Sequence, residues 1–198
     1  MELLDSAVDI KVYNYSDRTV HSEKGLVLFK KDKDNFIVAG IGEECERYWM
    51  DLSDPENYLL VVPISLGVIT DYPVAEKLLK YMLSKYIFTV NGKKKLLKRA
   101  SRVLLVLHEP CSPIDLRAYE DLLMLLGYKN VHMITSKTDL GGLTVEEAIW
   151  KMEETQGKKF DCAIEITKNN HFEYAKYSYE KLLDDFKRWG VEASEIIK

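Results

Sequence analysis

Apolar positions along the chain recur with two periods. Leu78, Leu79, Met82, Leu83 and Tyr86 repeat at three- and four-residue steps and predict a helix over residues 73–86. Pro73 suits its first turn, where a missing N–H costs nothing. Leu116, Tyr119, Leu122, Leu123 and Leu126 give a second inward face, entered from Ser112 as N-cap and ended by Gly127. Thr144-Val-Glu-Glu147 is a capping box that opens a third helix to about residue 156. A short helix is expected over 43–51 and a last one over 179–189. Between them lie strand-like runs at 8–15, 25–29, 36–39, 58–62, 130–134 and 160–167, with residues 171–177 as a further candidate. Val103-Leu-Leu-Val-Leu107 is continuously apolar, the pattern of a strand covered on both faces. Strands come first, then strand and helix alternate. That order predicts an α/β fold with a mixed sheet, an antiparallel meander beside parallel strands, and helices on both faces.

Composition narrows the classes. The 198 residues are 46% apolar and 30% charged, with a net charge of −4. A domain of that length buries ~70% of its unfolded surface and needs no staples. A mildly acidic chain gives no support for a nucleic-acid partner. Cys45, Cys111 and Cys162 are far apart and odd in number, against both a disulfide framework and a zinc site. The opening residues Met1-Glu-Leu-Leu-Asp5 lack the basic and apolar regions of a signal peptide. No apolar run approaches the ~20 residues of a membrane span. These readings point to the cytoplasm.

Several residues carry candidate chemistry, each with a plainer alternative. His108, Glu109 and Cys111 follow a buried strand, where α/β active sites lie. A Cys111 nucleophile with His108 as base would make a small hydrolase; the alternative is a strand-to-helix turn. Asp71 could face a cation or phosphate, or stabilise a helix start. Gly141-Gly142 before Thr144 could hold an anion or simply form a loop. Lys93, Lys94 and Lys95 form a basic patch that contacts an acidic partner or is solvated. The aromatic tail, with Tyr177 and Trp189, docks a partner or covers the sheet. Asp9, Glu109 and Glu165 are the only loose candidates for a two-metal site, and no metal is expected.

Pro63-Ile-Ser-Leu-Gly-Val-Ile-Thr-Asp-Tyr72, running into a helix with Glu76 near its start, resembles the signature of the actin superfamily. Val103-Leu-Leu-Val-Leu-His-Glu-Pro110 resembles the family's V-L-L-T-E-x-P strand. Gly42-Glu-Glu-Cys45 resembles the G-[DE]-E-A element of actins and MreB-type bacterial actins. The matches keep family order over about residues 11–142, and residues 143–198 diverge. The resemblance implies one domain over 1–198, a single ribonuclease-H-like actin half.

The same resemblance implies a bacterial-type cytoskeletal relative with most of the ATP chemistry removed. Where the family has its first phosphate loop, D-x-G-[ST], this chain has Asp5 and Ser6 without the glycine. Only glycine lets the backbone approach a phosphate so closely. Glu165 stands where the second loop has Asp, with Thr167, Asn169 and Asn170 for its glycines. Thr135-Ser136-Lys137 replaces the residue that orients the attacking water. The implied function is a degenerate, non-catalytic structural or protein-interaction module, with a protein partner or self-association and no cofactor. The alternative is a nucleotide-binding or ATPase subunit that completes its site by pairing and binds ATP and magnesium through Asp5, Ser6, Asp71 and Glu165. The strand at 160–167 and the helix from about residue 179 are expected to re-cover the lone half, and sheet order decides whether 160–167 takes the central place of the first actin strand.

Overall fold

The computed structural model describes residues 7–33, 35–50, 54–90, 93–94, 101–135, 142–157 and 159–168. Within them run β1 (Val8–Asn14), β2 (Thr19–Lys24), β3 (Val27–Asp32), β4 (Asn35–Ile41), α1 (Glu43–Met50), β5 (Tyr58–Val61), β6 (Ile64–Ser65), β7 (Val68–Ile69) and α2 (Tyr72–Tyr86). β8 (Thr89–Val90), β9 (Lys93–Lys94), β10 (Arg102–Leu107), α3 (Pro113–Leu125), β11 (Asn130–Thr135), α4 (Val145–Gln156) and β12 (Cys162–Lys168) follow.

The larger sheet has the order β11-β10-β12-β1-β2. β11, β10 and β12 are parallel, and β12, β1 and β2 are antiparallel. β12, last of these strands in sequence, thus lies at the centre. Sheet order puts residues 162–168 in the central place, and this makes one mixed sheet from a meander and a parallel set. Alternation sorts its side chains. Ile10, Val12, Val103, Leu105, Leu107, Ile164 and Ile166 form one core with Leu78, Leu79, Met82 and Leu83 of α2 and Tyr119, Leu122 and Leu123 of α3. Tyr13, Leu104, Val106 and Ala163 face the other way, against Val145, Ala148 and Ile149 of α4. The apolar run of β10 is therefore buried on both sides, as its composition predicts. Leu116 and Leu126, expected inside with Tyr119, sit half-buried at the margin of this core.

The helix ends follow their chemistry. Ser112 and Thr144 each close a capping box, with Asp115 and Glu147 returning to the cap N–H. The 63–72 signature contains more than a strand-to-helix junction. β6 and β7 make a small hairpin whose turn puts Leu66 at φ 49° and Gly67 at φ 79°. Tyr119 Oη and Cys111 Sγ both donate to the Gly67 carbonyl and pin that turn to α3 and to the loop before it.

A second, three-stranded sheet has the order β4-β3-β5. It carries its own small core of Leu26, Leu28, Cys45 and Val62. Sequence periodicity places all the strands in one sheet; the break comes at Gly25-Leu26, where the chain leaves β2 for β3. Buried Glu23 ties the two sheets. Its carboxylate accepts from the Glu43 N–H at the start of α1 (2.8 Å), from Lys85 Nζ (2.9 Å) and from Tyr86 Oη at the end of α2. Gly42 lies against it at φ 65°, and a Cβ there would collide with the carboxylate. The expected strand at 171–177 and helix at 179–189 lie outside the described residues.

Candidate functional site

The C-terminal ends of parallel strands are where open α/β sheets present chemistry. Here β10 and β12 end side by side, and Glu165 is the charged group they bury. Its position follows from register. Glu165 lies across from Lys11 on one side and Val106 on the other, on the face that carries Tyr13, Ala163 and Leu104. Tyr13 Oη donates to Glu165 Oε2 at 2.5 Å, and Lys11 Nζ lies 3.5 Å from the same oxygen. His108, one residue past β10, reaches Glu165 Oε1 through Nε2 at 2.7 Å. With the carboxylate ionised, Nε2 carries the hydrogen. His108 Nδ1 is then buried without a hydrogen-bond partner.

Burial alone would push the Glu165 carboxyl up. The Tyr13 hydroxyl, the Lys11 charge and His108 outweigh it and hold the carboxyl below the ordinary range. Burial, then the bond to Glu165, pushes the Tyr13 phenol up. At neutral pH the cluster is an ionised carboxylate with three donors around it. Beside it, Lys24 Nζ pairs with Asp9 at 3.0 Å.

His108 and Cys111 are not brought together as base and nucleophile. The His108 ring is taken by Glu165, 57 residues away, while Cys111 Sγ donates to the carbonyls of Gly67 and Glu109. Burial, with Asp115 and Glu109 nearby, also raises the Cys111 thiol, the wrong direction for a nucleophile. Asp71 is the N-cap of α2, accepting from Val74 N at 3.0 Å. Among the described residues no group of three or more His, Cys, Asp and Glu could hold a metal. Lys93 and Lys94 form β9, and their side chains, like Asp5, Ser6, Lys95, Tyr177 and Trp189, lie outside the described residues. Sequence reasoning missed Lys11 and Tyr13. The available signal was their alternate spacing on a strand, which places both on one face.

Matches to known proteins settle the lineage. The MreB/Mbl protein family matches residues 6–152. The chain belongs to the MreB/Mbl family. No curated protein matches it. Among solved structures, MreB5 of Spiroplasma citri bound to ADP is 22% identical with a TM-score of 0.50. MreB5 of Spiroplasma citri bound to AMPPNP is 19% identical with a TM-score of 0.51. Both matches cover 67% of this chain and 36% of the MreB5 chain, so the likeness to these MreB proteins spans about a third of their length. It establishes an actin-like fold for this MreB/Mbl member. No helix among its described residues is long and apolar enough to cross a membrane.

Proposed function

We propose that the chain is a non-catalytic actin-like domain, one half of the family's architecture, that acts as a structural or protein-interaction module. The observation that carries this is Glu165. The end of the central strand, where the resemblance expects a glycine loop around a phosphate, holds a buried carboxylate with Tyr13, Lys11 and His108 gathered on it. The family also has a carboxylate there, but here Tyr13, Lys11 and His108 are committed to it and leave no free donor for a phosphate at that point. β12 itself contains no glycine to open the backbone.

A second reading, nucleotide binding completed by pairing, draws on the family and on the nucleotides named with the two MreB5 structures. Melting with ATP and magnesium separates the two. A ligand at 100 times its Kd stabilises by ~2.7 kcal/mol. The expected result is an unchanged Tm at millimolar ATP, and a rise of several degrees would replace the first reading with the second.

A further inference from the structure

α4 turns Val145, Ala148, Ile149 and Met152 to the sheet. Its other side carries Trp150, 70% exposed, a large aromatic ring left in water in the middle of a capped helix. Positions three and four residues away are its neighbours on the helix surface. Those positions are Glu146 and Glu147 on the N-terminal side, Glu153 and Glu154 on the C-terminal side. Carboxylates therefore bracket the indole at both ends. Lys151, the one cation of this helix, is turned about 100° away around the axis.

Local structure accounts for part of this charge. Glu146 and Glu147 favour the positive end of the helix, and Glu147 closes the capping box. Glu153 Oε1 accepts from the Phe160 N–H at 2.9 Å. Nothing local accounts for Trp150 or Glu154. Glu154 is exposed near the C-terminal end, where the dipole disfavours a negative charge. α3 treats its surface acids differently. Glu120 and Asp121 both pair with Arg117, at 2.9 and 3.1 Å. Among the described residues no carboxylate of α4 makes an ion pair. The helix thus offers a bare aromatic face among negative charges that its own chain leaves unneutralised.

We propose that this face of α4 docks an arginine-rich segment of a partner protein. A guanidinium group seats flat on the Trp150 ring, the best of the aromatic faces for a cation. Glu146 and Glu154 accept its N–H groups in charge-assisted hydrogen bonds. The same charge repels the other large partners, a nucleic acid or an anionic lipid surface. This rests on reading the chain as an interaction module and names the chemistry of its partner.

Fluorescence anisotropy of a labelled arginine-rich peptide without aromatic residues, titrated with the full chain, tests it. The peptide is expected to bind at low salt and to weaken as salt screens the carboxylates. Trp150→Ala, and Glu146→Gln combined with Glu154→Gln, should each weaken binding about tenfold or more while Tm stays close to wild type. Ile114→Ala, on the bare apolar side chain of α3, should leave binding unchanged. Absence of binding at low salt overturns the proposal. So does binding that survives Trp150→Ala, is lost in Ile114→Ala, or is matched by a glutamate-rich peptide. Melting the same samples with ATP and magnesium keeps the two readings apart. A raised Tm with peptide binding intact sinks only the non-catalytic reading; an unchanged Tm without peptide binding sinks only this proposal.

Discussion

The larger sheet buries two glutamates, one on β12 and one on β2, and they act differently. Glu165 sits inside the larger sheet, and its partners come from strands of that sheet or the residue after one. Glu23 sits between the sheets, and its partners come from the first turn of α1 and the last turn of α2. One carboxylate organises the end of a sheet; the other fastens a smaller sheet to a larger one. The comparison teaches that equal burial does not mean equal scope. Loss of Glu165 should be felt locally, and loss of Glu23 should free a whole unit.

The largest expected effect breaks the larger sheet. Removing residues from 160 onward takes out β12 and exposes the edges of both β1 and β10. The product should be insoluble or molten, read by loss of a cooperative melt and of near-ultraviolet dichroism. A well-folded truncation would refute the central role of β12. Leu105→Ala, in the core shared with α2 and α3, should cost about 2–5 kcal/mol in denaturant unfolding. Ile37→Ala on exposed β4 should stay within about 0.5 kcal/mol.

Acid sharpens the difference between the glutamates. For Glu23, burial pushes the carboxyl up, but Tyr86, the Glu43 N–H and Lys85 hold it below the ordinary 4.5. Glu165 is likewise lowered. A lowered native value means that the unfolded chain binds more protons in that window. Stability from each is therefore full above pH 4.5 and falls as pH drops toward the native values. Glu23→Gln and Glu165→Gln should each flatten that acid limb of Tm. Exchange at the amides of α1 and β3–β5 should rise in Glu23→Gln and not in Glu165→Gln. Thr144→Ala should cost about 1 kcal/mol through the α4 cap.

Much of this is legible in the sequence. Ser112, Thr144 and Gly127 mark helix ends because capping chemistry is local. The apolar run 103–107 announces a doubly covered strand. His108 stands out, but its partner does not, because Glu165 is brought to it by strand order and not by spacing. Glu23 was invisible for the same reason. A glutamate in a strand looks solvated until α1 and α2 close over it. The turn at Leu66-Gly67 lies hidden inside a motif whose resemblance drew the eye to Asp71 instead.

The position of β12 also sets a timetable. Val8 lies across from Lys168, and Tyr13 meets Glu165 across 152 residues. A chain emerging from the ribosome makes β1 early and its neighbour last. Until β12 arrives, β1 and β10 have nothing between them. Closing so distant a contact is slow. The nascent protein is therefore at its stickiest while the outer half of its own sheet waits for the middle.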